Sequence, residues 1–272
     1  MNRLFAFRRS LPPVCRLGLA TRGNTHLTRE DVWEALQAGI NYWNWCGHDD
    51  GMAAAITELG SRRREVVIAM QLESRDKEGA QRELEQNLSR LQTDYVDVVT
   101  FYYVEHRGEW QEILGTKGAL PAMKEAQEKQ EVRMIGLTTH QKPLGEEALR
   151  SRELDLLMVR YNAAHRSAET SLFPIARELD TPVVTFTSLR WKGLLHPTPD
   201  DPPNFKPPPA PEWYRLVLSH PAVSVALMAP NNRKELQDNL TLLADWRPPT
   251  EHEREALFQH GERIRRHAGR FP

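Results

Sequence analysis

Cysteine is nearly absent: Cys15 and Cys46 are the only two in 272 residues. That excludes a disulfide-stapled scaffold and fits a reducing cytosol. Long apolar runs are missing as well. Nothing approaches the roughly 18 consecutive apolar residues of a membrane-spanning helix. An excess of one charge is also lacking. The 36 basic and 37 acidic residues leave a formal net charge of −1, so composition points to neither nucleic acid nor membrane as a partner. The N-terminal MNRLFAFRRSLPPV carries Arg3, Arg8 and Arg9 without a long apolar core. It reads as a poor signal peptide, and the cytoplasm is the expected location.

What is present is an alternation of strands and helices. Cys15 to Ala20 reads as a buried strand, ended by the turn Thr21-Arg22-Gly23-Asn24. Thr28 and Asp31 are spaced as a capping box, and Val32, Trp33, Ala35 and Leu36 follow at helical spacing up to Gly39. Further strands are expected at Asn41–Trp45, Val66–Met70, Tyr95–Tyr103, Val132–Thr139, Leu154–Asn162, Pro182–Ser188 and Val223–Met228. Between them, helices are expected at Met52–Leu59, Asp76–Leu91, Leu120–Gln130, Glu146–Arg150, Ser167–Leu179 and Trp213–Ser219. The connection His196–Pro211 holds eight prolines and should be extended. Asn232 with Glu235, and Thr250 with Glu253, look like two more capping boxes. The second starts a charged helix over about 250–267. Its arginines, with Arg270 beyond them, read as a solvated face.

Eight strand-like runs with crossover helices imply a parallel sheet, and eight strands close a (β/α)8 TIM barrel. The length suits one such domain spanning 1–272, with a core of about 15–245 and an extra C-terminal helix. The alternative is an open doubly wound sheet. It wants a Gly-rich first turn, and TRGNTH has one glycine.

Several stretches together resemble the aldo/keto reductase family. GINYWNWCGHDDG, residues 39–51, is similar to its GINFFDTAxxYG. Leu17 to Thr21 is similar to LGLGT, Asp94 to Asp97 to DYID, and VRMIGLT from Val132 to KIRxIGVS. Arg160-Tyr161-Asn162 is similar to the end of QxxYN, with Met158 at the Gln. Val184 to Leu189 and Gly193-Leu194-Leu195 are similar to VIAYSPL and its GxL, and Glu235 with Asn239 to the last ExxxN. The resemblance implies a TIM barrel with its site at the C-terminal face of the strands. It also implies NADP(H), or alternatively NAD(H), bound without a Gly-rich loop.

The family reduces carbonyls with a Tyr that donates a proton, a Lys that lowers its pKa, an Asp that holds the Lys and a His that orients the carbonyl. The physical need is plain: an unperturbed Tyr titrates near 10, and a cation favours its phenolate. The resemblance places Asn44 at the Asp, Asp50 or Asp49 at the Tyr, Gln71 at the Lys and Tyr102 at the His. Asn44 and Gln71 would form a neutral amide pair. The standard mechanism is not expected. For the cofactor, the resemblance points to Thr138, Thr139, Asn162, Thr187, Leu189, Asn232, Arg233, Glu235 and Asn239. Asn232 reads equally well as a helix cap, and Arg233 is the cation for a 2′-phosphate.

A second set of polar groups follows the strand ends: His48, Asp49, Asp50, Glu73, Glu105, His106, His140, His165 and Arg190. His140 with Asp50 would make a proton-transfer pair. No HxH or HExxH motif is present, so no metal site is assigned. Cys46 reads as a small core residue and Tyr102 as a pocket wall. Three functions remain open. One is a carbonyl/alcohol oxidoreductase acting on a small molecule. The others are a non-catalytic nucleotide-binding barrel and a repurposed lyase, isomerase or metal-dependent hydrolase.

Overall fold

The structure, a computed structural model, describes residues 1–7, 11–22 and 25–267. Arg8, Arg9, Arg270 and the Gly23-Asn24 part of the expected first turn lie outside it. The chain opens with a two-stranded antiparallel hairpin, β1 (Leu4–Phe5) and β2 (Val14–Cys15). Then come β3 (Leu17–Ala20), α1 (Arg29–Gln37), β4 (Tyr42–Trp45), α2 (Gly51–Thr57), β5 (Val67–Leu72) and α3 (Lys77–Leu91). Next are β6 (Val96–Phe101), α4 (Arg107–Leu114), α5 (Ala119–Glu128), β7 (Val132–Thr139), α6 (Lys142–Ser151) and β8 (Leu156–Arg160). The last are α7 (Leu172–Glu178), β9 (Val183–Phe186), α8 (Ala210–Ser219), β10 (Val223–Met228), α9 (Arg233–Leu240) and α10 (Glu251–His267).

Strands β3 to β10 pair in parallel, and β10 closes on β3. The fold is therefore a (β/α)8 barrel with a C-terminal helix, and the open doubly wound sheet is overturned. The strand period of two sorts the side chains. Tyr42, Val67, Ala69, Val98, Met134, Met158, Val184 and Phe186 fill the barrel interior. Trp43, Trp45, Ile68, Met70, Ile135 and Leu137 pack outward under the helices. Gly18 faces inward, where a Cβ would lie 2.9 Å from Val225 and 3.2 Å from Tyr42. A glycine there lets the Tyr42 ring cross the barrel.

Four features depart from expectation. The N-terminal hairpin plugs the lower end of the barrel, with Phe7, Leu11 and Val14 in the interior cluster and Phe7 stacked on Tyr42 at 5.8 Å. Helix α4 was not expected, because RGEWQEIL offers only Trp110 and Ile113 as buried anchors. The expected strand Tyr95–Tyr103 stops at Phe101, so both tyrosines stand in the loop above the barrel. The Asn232–Glu235 box is one-sided: Asn232 accepts from the Glu235 N–H, but Glu235 accepts from Asn231. The boxes at Thr28 and Thr250 close as expected.

Candidate functional site

The upper ends of the strands surround a cavity of about 320 Å³. Asn44, Gln71, Tyr102, His48 and Thr138 line it, with Glu73, Tyr103, Met158 and Phe186. It opens through Arg22, Thr187, Leu227 and Ala229, which it shares with a second lobe of about 680 Å³. That lobe runs between the loop after β9, the proline run Pro207–Pro209 and the start of α9.

Asn44 is buried. Its amide donates to the Cys46 sulfur at 3.4 Å, and its Oδ1 has no partner. It does not pair with Gln71. The register sets Asn44 opposite Ala69, and Gln71 stands one inward repeat higher, roughly 6.6 Å along the strand. A neutral Gln has no charge to draw it down that distance. Tyr102 and Tyr103 stack at 4.0 Å with 26° between ring planes. Burial, and then the neighbouring tyrosine, pushes the Tyr102 phenol above its ordinary value; burial also raises Tyr103. Burial likewise drives the Cys46 thiol up to about 12. All three are neutral near pH 7, so Cys46 is no nucleophile.

Asp50 does not reach the cavity. It caps α2, accepting from the Met52 and Ala53 N–H groups at 3.0 Å each. Asp49 is exposed and paired with Arg90 at 2.6 Å. The expected Asp50–His140 pair is corrected accordingly: His140 Nδ1 meets Glu105 at 2.9 Å, and its ring lies 4.6 Å from Tyr103. His106 sits at the start of α4. Burial, with Arg160 and Arg190, holds His165 down at about 4. Among the described residues no three His, Cys, Asp or Glu side chains are grouped as a metal set.

The nine expected cofactor residues divide. Thr138 lines the mouth, Thr187 the junction, and Leu189, Glu235 and Asn239 the larger lobe. Thr139 lies one residue past an inward position, so it faces outward and its hydroxyl caps Gln141 N–H at 3.0 Å. Asn162 is occupied structurally: it donates to Thr187 O at 2.9 Å and accepts from Ala164 and His165 at 3.0 Å. Asn232 caps α9. Arg233 turns onto α1, 2.7 Å from Glu34 and 3.5 Å from Asp31. The cations in the larger lobe are instead Arg22 and Lys192. Lys192 pairs with Glu235 at 2.5 Å. Burial opposes ionisation of Glu235, but the Asn231 N–H and Lys192 outweigh it and hold the carboxyl below its usual range.

Sequence reasoning missed Arg22, Lys192 and Trp191. A signal existed for the last two, which stand beside the Gly193-Leu194-Leu195 stretch. Four non-glycine residues there, Thr187, Arg190, Trp191 and Lys192, have φ between 48° and 67°. Strained backbone of this kind gathers at ligand clamps.

The model of the aldo/keto reductase family matches residues 17–213. The chain belongs to the aldo/keto reductase family. Among solved structures, the holo form of an aldo-keto reductase from Bacillus halodurans is similar, with a TM-score of 0.75 and 18% identity over 97% of this chain and 96% of that one. An aldo/keto reductase from Brucella melitensis has a TM-score of 0.73 and 16% identity over 96% and 98%. At these identities the likeness is one of fold. No curated protein matches the sequence.

Four buried polar atoms along the aldo/keto reductase cleft test its fit to a nicotinamide nucleotide. Asn44 Oδ1, Thr138 Oγ1, Thr187 Oγ1 and Ser188 Oγ are buried without a hydrogen-bond partner. Orphaned polar atoms are costly unless something else satisfies them. Here they follow the cleft from the mouth into the larger lobe, as a long polar ligand would need.

Proposed function

We propose that this barrel is a carbonyl/alcohol oxidoreductase that binds NADP(H), with NAD(H) as the alternative nucleotide. The carrying observation is the trail of orphaned buried polar atoms through two joined cavities. Thr138 and Asn44 would receive the nucleotide at the mouth, and Thr187 and Ser188 at the junction. Arg22, Lys192, Asn231 and Asn239 would receive it in the larger lobe. Lys192 is the candidate for a phosphate, which would displace Glu235. Bound there, the nicotinamide supplies hydride transfer. Tyr102 and Tyr103 supply neutral O–H donors beside it, with no Lys to lower their pKa. General acid help of roughly 10²–10⁴ is then largely lost, and turnover should be slow. The partner is a small molecule, and the cytoplasm is the proposed location; among the described residues no helix is long and apolar enough to cross a membrane.

The withdrawal of Asp50 onto α2 favours a second reading, a nucleotide-binding barrel without turnover. Titration with NADPH, followed by cofactor fluorescence and calorimetry, tests both. One-to-one saturable binding supports both readings, and none up to millimolar nucleotide overturns both. Single turnover with an aldehyde panel separates them, with Tyr102→Phe slowing the reaction if that hydroxyl serves it.

A further inference from the structure

We infer that the mouth selects a neutral, planar aromatic carbonyl or alcohol and rejects the corresponding carboxylates. This deepens, and rests on, the nucleotide reading above. The charge pattern is the first support. Among the described residues, Arg22 and Glu73 are the two of fixed charge lining the mouth. Arg22 stands at the junction with the larger lobe, 5.8 Å above the Trp191 ring. Glu73 is exposed at the rim, where it repels anions on approach. At the strand end where the family resemblance puts a lysine, this chain offers the amide of Gln71.

The environment is the second support. Burial keeps Cys46, Tyr102 and Tyr103 protonated. A site that resists making anions of its own groups resists a ligand carboxylate for the same reason. It still offers polar contacts to a neutral molecule, through the Gln71 amide and the Tyr102 and Tyr103 hydroxyls.

Shape is the third. Tyr102 and Tyr103 lie nearly parallel, and the Phe186 ring stands 6.0 Å from Tyr103. Such faces suit a flat ring, by offset stacking or edge contact.

The experiment measures dissociation constants of benzyl alcohol, cyclohexylmethanol and benzoate by ligand-detected NMR, on the free and the NADPH-loaded protein. Benzyl alcohol should bind about tenfold or more tighter than benzoate, since a carboxylate must be desolvated and passes Glu73 at the rim, while Arg22 stands off at the junction with the larger lobe. It should also bind about three- to tenfold tighter than cyclohexylmethanol, from the aromatic contact. Gln71→Lys should close most of the gap to benzoate, because a cation near the ligand favours the anion, and Tyr103→Ala should weaken benzyl alcohol. Equal or tighter benzoate binding, equal cyclohexylmethanol binding, or no binding of any probe overturns the inference. If either variant fails to fold, the three wild-type constants still decide it. NADPH binding without this selectivity sinks the inference alone; absence of NADPH binding sinks the reading beneath it.

Discussion

Replacing Asp201 by Asn should loosen one wall of the larger lobe. Asp201 lies in the proline-rich segment and is held by α10. Its Oδ1 accepts from His260 Nδ1 at 3.2 Å and from Arg263 Nε at 2.5 Å, and its Oδ2 from the Thr198 N–H. The other nitrogen of His260 meets Leu194 O at 3.2 Å. Both ring nitrogens thus face acceptors. Side-chain exposure is 0% for His260, 5% for Asp201 and 12% for Arg263, so water does little to replace a lost partner. Leaving a buried cation without its carboxylate costs about 3–5 kcal/mol. An Asn keeps the shape and one acceptor, so the low end, about 3 kcal/mol, is expected. For a chain of this size that is roughly 6–12 °C in Tm. Urea unfolding followed by circular dichroism gives the first number. Hydrogen exchange should show faster opening over 193–206, and NADPH affinity should fall because Leu195 and Pro207 to Pro209 line the lobe. Burial opposes ionisation of Asp201, yet its three hydrogen-bond donors hold the carboxyl below its usual range. Its contribution is therefore full above the unfolded value near 4 and is lost as pH falls through the lower folded one. A variant within about 0.5 kcal/mol of the parent, with unchanged exchange over 193–206, would refute the clasp.

Gly261→Ala should destabilise by about 1–3 kcal/mol, since a Cβ would sit 2.6 Å from the Ala163 backbone. A higher Tm would instead show that α10 shifts and gains the usual helix preference for Ala. His165 should titrate near 4, because burial, Arg160 and Arg190 disfavour its cation. Its contribution to stability is full above the unfolded value of about 6.5 and is lost as pH falls toward 4; an NMR midpoint near 6.5 would contradict this.

The resemblance placed Asn44, Gln71 and Thr138 at the barrel mouth, and the alternation of strand faces turns each of them inward. Once a strand and one inward residue are known, the rest of that face follows. Tyr102 was placed at the mouth for the same reason, although its strand ends one residue earlier. Arg233 was misjudged on different grounds. A position before a helix says the side chain is near the cleft, but not that Asp31 and Glu34 of a neighbouring helix draw it the other way. Asp50 failed similarly, since a carboxylate beside a helix start can cap that helix or face the cavity. Lys192 is the converse, a cation brought into the lobe by a left-handed loop, with its place beside Gly193-Leu194-Leu195 as the one local signal.

The barrel itself was determined by the sequence alone: eight apolar runs at crossover spacing leave their backbone groups no better partner than one another, and closure removes the edges. Tertiary structure alone decided which polar groups face the two cavities and which became caps, clasps or ion pairs. Those choices depend on residues far apart in the chain, such as Arg22 with Trp191 and Asp201 with His260. Their distances come into being only when the barrel closes.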